Sequence, residues 1–548
     1  MSTQKEITLS IQGMTCNGCA AGIEKKVNQL EGVSELNVSY PDGEGKFAFD
    51  SNITSQEDII DKIEKFGHYK VNGKQSSNKN KFDLIIIGGG SAAFSAAIKA
   101  ESLGLTTLMV NGGLDFGGTC VNVGCVPSKN LIRAAETAYH AAHTNFEGIK
   151  PKGVEIDFAQ IIKDKKALVQ SLQQQKYMDV VSDFKNLTML KGWAEFVDQN
   201  SIIVDGKDSY AATNIIIATG ATTNIPNIEG LNEVGYLTNA SLFDLEEKPE
   251  SFTIMGAGYI GLEIAMAYNR LGVKVRIIEF TDRPLRSQTK DITDVLEDQM
   301  KKEGIEILPN FRAFRFEKQG TDTIIHCNCP DGSITQIIEK GHIVVATGTK
   351  PNTSKLGLDM VDLKLSGMGH VLVNEKMETN IPNIFSAGDV TQTPPFVYTA
   401  ATEGNTAVNN AFSLSKSSID YSSLPWVVFT DPQIAGAGMD EVEAEKAGIP
   451  FEVSKLDLTH VPRALAAQDT RGFIKLIRNT ETDKLIGARV IAPEGGELIQ
   501  QLSMAIKFGI TVKDLAESFY PYLTLGEGIK LAAITFGKDV SKLSCCAS

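Results

Sequence analysis

Two apolar runs that each end in glycines constrain this chain most: Asp83-Leu84-Ile85-Ile86-Ile87 before Gly88-Gly89-Gly90, and Phe252-Thr253-Ile254-Met255 before Gly256-Ala257-Gly258. An unbroken apolar run is what a strand buried on both faces needs, and such strands belong to parallel sheets covered by helices. Small residues straight after the strand let the backbone approach a pyrophosphate resting on the next helix N-terminus. Gly88, Gly90 and Ala93 space the first loop as G-x-G-x-x-A, and Gly256, Gly258 and Gly261 space the second as G-x-G-x-x-G. One such loop is moderate evidence; two in one chain predict a pair of Rossmann-like nucleotide-binding domains, hence an α/β fold.

The strands that follow these loops differ at their ends. Val273 to Glu279 closes on an acid, placed where a ribose 2′-hydroxyl would be bound, but Arg283 and Arg286 follow and could meet a 2′-phosphate, so NADH and NADPH both stay open. Thr107 to Asn111 has Val110 where an acid is usual, and Asn111 is the candidate replacement.

At 548 residues the chain exceeds one core and predicts three or four domains of roughly 150 residues. A net charge of -14 without a basic stripe argues against nucleic acid as a partner. The start has no basic segment followed by an apolar one, and no apolar run reaches the ~18 residues of a membrane span, so a cytoplasmic protein without membrane insertion is expected. Closely spaced cysteines in a reducing compartment are usually catalytic or metal-binding.

Residues 5 to 71 read as β-α-β-β-α with a last strand near Tyr69 to Val71; the helices are predicted from about Cys19 to Leu30 and from about Ser55 to Phe66. The polar stretch 72–81 reads as a linker. Between the first strand and helix lies Gly13-Met14-Thr15-Cys16-Asn17-Gly18-Cys19, which puts Cys16 and Cys19 near a helix N-terminus, where thiolate is favoured. Two thiolates suit a soft ion and fall short of the four ligands of structural zinc. This segment resembles the heavy-metal-associated domains of copper and mercury carriers, which implies a β-α-β-β-α-β metal-binding head.

The most specific stretch is Gly117-Gly118-Thr119-Cys120-Val121-Asn122-Val123-Gly124-Cys125-Val126-Pro127-Ser128-Lys129. With Ala218-Thr219-Gly220, Ala346-Thr347-Gly348 and Ser386-Ala387-Gly388-Asp389-Val390 downstream, the chain from Phe82 resembles the pyridine nucleotide disulfide oxidoreductases, the family of glutathione reductase and dihydrolipoamide dehydrogenase. The resemblance implies FAD, held by the first loop, Gly118, Thr119, Lys129, Thr219, Gly220 and Asp389, and NADPH or NADH on the second loop with Tyr259, Glu279 and Arg286. It makes Cys125 the thiol against the flavin, Cys120 the exchanging thiol, Lys129 and Glu263 a pair near the flavin, and Tyr259 a gate over the nicotinamide pocket. The implied domains are a metal-binding head (1–71), an FAD domain (82–229 and 350–422), an NAD(P) domain (230–349) and an α+β dimerisation domain (423–548).

One departure redirects the chemistry. Disulfide reductases of this family place a histidine near the C-terminus to protonate the leaving thiolate, whereas this chain reads Tyr520-Pro521-Tyr522-Leu523-Thr524-Leu525-Gly526-Glu527, with Tyr522 at the histidine position and His460 its last histidine. A phenol of pKa ~10 is a poor proton shuttle near neutrality. The ending Ser544-Cys545-Cys546 adds a third thiol pair. Head, core and tail together resemble the mercuric reductases, which implies a homodimer whose Cys545 and Cys546 act in trans on Cys120 and Cys125. By the same resemblance Tyr177 and Tyr522 complete the metal pocket, thiol-bound Hg(II) is the substrate, and a mercury transporter is the upstream donor. An NAD(P)H-dependent disulfide reductase and a copper or mercury carrier are the alternative functions. Cys327 and Cys329 alternate as on a strand and are expected to be packing residues.

Overall fold

The computed structural model describes residues 4–72 and 80–540, so the predicted tail thiols Cys545 and Cys546 and most of the predicted linker lie outside the described residues. The chain divides into two compact units, Met1–Phe82 with Lys207–Ala211, and Asp83–Gly206 with Ala212–Ser548.

The first unit carries a four-stranded antiparallel sheet in the order Val33–Ser39, Glu44–Asp50, Gln4–Gln12, Lys70–Asn72. Its helices, Asn17–Val27 and Gln56–Phe66, bury Ile23 and Val27, and Ile59 and Ile63, each pair one turn apart, against Leu9, Ile11, Phe47 and Phe49. The second helix starts on a capping box: Ser55 Oγ accepts the Asp58 N–H, and the Asp58 carboxylate accepts the Ser55 N–H at 2.9 Å. The first helix runs from Asn17 to Val27 rather than from about Cys19 to Leu30. Asn28 caps its end, and its early start makes Cys16 the N-cap residue.

The second unit is built on largely parallel sheet, with Ala194–Asp198 antiparallel to Ser201–Val204 at one edge of the first sheet. One sheet runs in the order Leu187–Lys191, Thr107–Asn111, Lys81–Ile87, Asp208–Ile217, Ser201–Val204, Ala194–Asp198, with Ile384–Ser386 added parallel to Asp208–Ile217. Leu84, Ile85 and Ile86 are all 0% exposed, so both faces of this strand are covered. Burial of that kind contributes about 1.5–3 kcal/mol per side chain, which is why the apolar run does not alternate. A second parallel sheet holds Glu306–Pro309, Lys274–Glu279, Ser251–Met255 and His342–Val345. Each glycine loop leads from its strand into a helix, Ser91–Ser102 and Tyr259–Arg270 respectively. The C-terminal part forms a five-stranded antiparallel sheet in the order Trp426–Val428, Gln433–Gly438, Leu485–Ala492, Phe473–Asn479, Phe451–Asp457, backed by the helix Gly495–Lys507. Two nucleotide-binding folds followed by an α+β domain are therefore present. Among the described residues, no helix is long and apolar enough to cross a membrane.

The expectation for the pair Cys327 and Cys329 holds for only one of them. Cys327 is buried in the strand Asp322–Asn328, but Cys329 lies past its end, half-buried, where its N–H donates to the Ser333 carbonyl and closes a turn. Pro330, which has no N–H to give to a ladder, ends the strand there.

Candidate active site

The two glycine loops show the same division of labour. Gly88 and Gly256 take φ of +135° and +103°, and a Cβ on either would lie 2.1 Å from the Ala218 carbonyl oxygen or 2.6 Å from that of Ala346. The chain can turn there only as glycine. The middle glycines face outward: nothing lies within 4 Å of a Cβ on Gly258, and only Gly118 Cα, at 3.7 Å, within reach of one on Gly90. The third positions are packed, with Ala93 0% exposed and a Cβ on Gly261 only 2.1 Å from the Gly256 carbonyl oxygen. An open middle position between a forced turn and a tight helix contact is what a pyrophosphate on a helix N-terminus requires, so both loops fit a dinucleotide. The segment before the redox pair locks onto the first loop, since the Gly117 N–H donates to the Gly89 carbonyl at 2.7 Å and a Cβ on Gly118 would lie 2.5 Å from Gly90 Cα. Thr219 and Gly220 are clasped by Asn352, which accepts from Thr219 Oγ1 and donates to the Thr219 carbonyl, each at 2.9 Å, and to the Gly220 carbonyl.

The strand ends behave differently from each other. Asn111 reaches over the first loop, with its amide 2.5 Å from where a Gly89 Cβ would stand, and donates to the Leu114 carbonyl. Glu279 is 7% exposed and holds the second loop, accepting the Ala257 N–H at 2.7 Å on one oxygen and the N–H and hydroxyl of Thr281 on the other. Arg286 pairs with Asp282 at 2.8 Å, and Arg283 donates to the Gln288 carbonyl.

Cys120 sits in the short helix Gly118–Val123, and Cys125 is the first residue of the helix Cys125–Ala142. Both are free thiols and half-buried. Their acidities are driven apart. Cys125 is lowered to about 7, first by the hydrogen bond from Cys120 and then by the Lys129 charge, against the opposing effect of burial. Cys120, which gives that hydrogen bond, is raised well above the usual thiol range. One sulfur is therefore poised as thiolate near neutrality and its partner holds the proton, the arrangement a dithiol needs to act one sulfur at a time.

Behind Cys125, Lys129 Nζ donates to Glu263 Oε2 at 2.7 Å, and the second Glu263 oxygen accepts the Phe429 N–H at 2.9 Å. The Phe429 ring also lies 4.5 Å from the Lys129 ammonium. A segment some three hundred residues away thus holds both ends of the pair, a contribution sequence reasoning missed because no local motif marks Phe429. Removing the cation by Lys129→Met should shift the pH profile of Cys125 alkylation upward and slow alkylation just below neutral pH by roughly twofold to tenfold. Iodoacetamide labelling of the reduced protein, mapped by mass spectrometry, reads this directly.

Tyr177 lies on a π-helical turn, Gln174–Met178, that continues the helix Phe158–Gln173. Such bulges re-aim a side chain within a helix. Here the ring packs edge-on to Phe94 at 4.9 Å and stands 3.6 Å from where a Gly117 Cβ would be, and the hydroxyl lies 3.3 Å from Ser91 Oγ. Burial raises the phenol pKa; Ser91 opposes the rise, and the charges of Cys120 and Cys125 add to it. Ser91 is a second missed contact, since the loop spacing tolerates any small residue at its position. Asp389 follows the strand Ile384–Ser386, and burial, then the Glu403 charge, raise its carboxyl. Tyr522 is 59% exposed in a turn before the helix Glu527–Ile534, where Glu527 accepts the Leu523 N–H.

In the first unit, Cys16 Sγ and Cys19 Sγ are 3.8 Å apart, and Thr15 Oγ1 is 3.5 Å from Cys19 Sγ. Cys19 is lowered to about 6 by hydrogen bonds from Thr15, with a further contribution from Tyr69. Among the described residues, no group of three or more His, Cys, Asp or Glu side chains is gathered as for a metal, here or elsewhere.

Comparison with known proteins agrees with this architecture. Residues 82–404 match the model of the pyridine nucleotide-disulphide oxidoreductase family, residues 424–533 that of its dimerisation domain, and residues 8–69 that of the heavy-metal-associated domain. The chain is 38% identical to a mercuric reductase of Staphylococcus aureus, with 100% of each chain covered, and 40% identical to one of Streptomyces lividans, with 85% of this chain and 98% of that one covered. Among solved structures it is similar to the Cu(II) complex of the HOCl-induced flavoprotein disulfide reductase RclA from Escherichia coli, at 26% identity and a TM-score of 0.75, covering 84% of this chain and 100% of that one. With its paired glycine loops, its close thiol pair Cys120 and Cys125 and these relatives, the chain belongs to the mercuric reductase family of pyridine nucleotide-disulphide oxidoreductases.

Proposed function

We propose that this protein reduces thiol-bound Hg(II) to Hg(0) at Cys120 and Cys125 with electrons from NAD(P)H. FAD, when bound, supplies the acceptance of a hydride from NAD(P)H and the passage of two electrons toward sulfur-bound mercury. The chain's residues do the rest. Gly90 and Gly258 leave room for the two pyrophosphates, Asp389 is placed for the ribityl chain, and Lys129 with Glu263 holds a fixed charge beside Cys125. Cys125 binds the ion as thiolate, and Cys120 joins it once its proton is lost to solvent. Mercury(II) favours two nearly linear sulfurs, so it passes by thiolate exchange from the partner subunit's Cys545 and Cys546 to Cys120 and Cys125 without being released as a free ion. On gaining two electrons it leaves as Hg(0), and both sulfurs remain as thiolates.

The observation that carries this reading is the Tyr177 phenol beside the thiol pair. Burial raises its pKa and keeps it neutral, so it can turn its hydroxyl oxygen toward a bound cation while giving up no proton to departing thiolates. Tyr522, exposed on the dimerisation domain, supports the same reading as the second oxygen, offered to the other subunit. Cys16 and Cys19 act as an upstream collector, loaded by a mercury transporter. The cytoplasm, a reducing compartment, would keep all three thiol pairs available.

Deletion of residues 1–80 should leave Hg(II)-dependent NAD(P)H oxidation by purified holoprotein within about twofold of full length, because the electron path lies in the second unit. The decisive comparison is turnover of a mercury bis-thiolate against a small disulfide such as oxidised lipoamide. Equal rates on both would transfer the assignment to a disulfide reductase.

A further inference from the structure

The strand Trp426–Val428 leads straight into Phe429, which holds Glu263, and Trp426 at its start makes a separate contact with the nicotinamide-binding half. The Tyr259 and Trp426 rings stack, with centroids 6.0 Å apart and planes 18° from parallel. Tyr259 opens the helix that also carries Glu263, one turn further on, so a single strand addresses two residues on one helical face.

The indole has been given space to do this. Trp426 pairs across the strand with Gly436, and a Cβ at residue 436 would lie 2.4 Å from Trp426 Cζ2 and 2.9 Å from Arg489 Cδ. Any other residue at 436 would push the indole off its site. Arg489, itself fixed by the carbonyls of Ala437, Gly438 and Ala488, lies 5.7 Å from the indole centroid. The stack is built rigidly from the strand side, whereas Tyr259 is 36% exposed and among the described residues its hydroxyl has only a long contact, 3.5 Å, from Gln288 Nε2. Two buried polar atoms close by, Gln288 Oε1 and Arg489 Nε, have no hydrogen-bond partner among the described residues. Unsatisfied buried groups are costly, so this pose is not one in which every group is satisfied.

We propose that Trp426 is the positioning residue of Tyr259: a shelf, made possible by Gly436, on which the ring rests in the nicotinamide-free protein and from which it must lift when nicotinamide enters. The proposal rests on Tyr259 being the nicotinamide gate. It makes the stack a threshold that acts on the nicotinamide half of the dinucleotide alone. Aromatic pairs of this kind are worth a factor of about two to ten in an equilibrium constant. Removing the shelf should therefore tighten NAD(P)+ binding by about that factor and leave ADP-ribose and its 2′-phosphate unaffected.

The chain has two tryptophans, so Trp193→Phe leaves Trp426 as the sole indole fluorophore. In that holoprotein, excited at the red edge of indole absorption, saturating NAD+ or NADP+ should change Trp426 emission, and ADP-ribose or its 2′-phosphate should not. Trp426→Leu should lower the dissociation constant of the oxidised dinucleotide about twofold to tenfold, with Trp426→Phe in between and the ADP-ribose constants unmoved. Unchanged dinucleotide affinity in Trp426→Leu, or Trp426 emission indifferent to the dinucleotide, overturns the shelf. Should Trp426→Leu fail to fold, the emission titration still decides. Tyr259→Ala separates the two levels. If it alters binding of the dinucleotide relative to ADP-ribose while Trp426 emission in the Tyr259-containing Trp193→Phe protein stays silent, the gate stands and the shelf falls; if it leaves that ratio unchanged, the gate reading fails and the shelf with it.

Discussion

Cys125→Ser should abolish mercury turnover: Hg(II)-dependent NAD(P)H oxidation is expected to fall by on the order of 10³-fold or more, in a protein that still folds and retains flavin. The substitution removes one atom's chemistry and little volume. Serine oxygen is a hard donor and stays protonated at every working pH, whereas the thiol at this position is lowered to about 7 and is soft. The loss has two parts, since the ion loses one of two near-linear ligands and Cys120 loses the acceptor of its hydrogen bond. The companion Cys120→Ala should be as damaging to turnover, but for a different reason: Cys125 then loses the hydrogen bond that does most to lower its pKa, so its alkylation profile should move to higher pH. Steady-state assay together with thiol labelling of each variant checks both. Turnover within about tenfold of the parent protein in either would remove the pair from the mechanism.

Replacing Cys545 and Cys546 together with alanine is expected to give the second large effect, a loss of roughly 10²-fold in turnover of mercury held by excess small thiol, with reduction of the bound flavin by NAD(P)H unchanged. A tail dithiol tethered to the dimer competes with millimolar solution thiol only because tethering raises its local concentration. Its removal leaves Cys120 and Cys125 to take the ion directly, from ligands present in large excess. The defect should shrink when the competing thiol is lowered or replaced by a halide, whose mercury complexes exchange more readily. Stopped-flow flavin reduction and steady-state assay at two thiol concentrations separate delivery from electron transfer. An unchanged steady-state rate would take the tail out of the pathway.

Much of this molecule is legible in residue order because it is built from local rules. The run Leu84 to Ile87 is apolar without alternation because the strand is covered on both faces, and the glycine spacing records a turn, an open face and a packed helix start, each a demand on one backbone position. The two-residue gap between Cys16 and Cys19 similarly places one sulfur at the N-cap and the other in the first turn of a helix. What could not be read is what the chain brings together from far apart. Phe429 reaches Glu263 and Lys129 through a backbone N–H and a ring face, and neither leaves a mark near residue 429 beyond an ordinary apolar strand. The Trp426 and Gly436 pairing is visible only once the strand register is known, and the Ser91 contact depends on a π-turn that moves Tyr177 by a fraction of a helical turn. Glu279 shows the converse. An acid at a strand end reads as a ribose ligand, yet here its oxygens already hold Ala257 and Thr281, so its first task is to keep the loop in shape.

The central claim is that electrons from NAD(P)H leave this protein on mercury and not on a disulfide. It is tested most directly by trapping volatile mercury from purified, flavin-loaded protein given NADPH or NADH, Hg(II) and excess thiol, and comparing the amount with the nucleotide oxidised. Elemental mercury is expected in equal molar amount to NAD(P)H consumed, and none from Cys125→Ser. Nucleotide oxidation without any mercury vapour, or oxidation sustained equally by small disulfides alone, would contradict it.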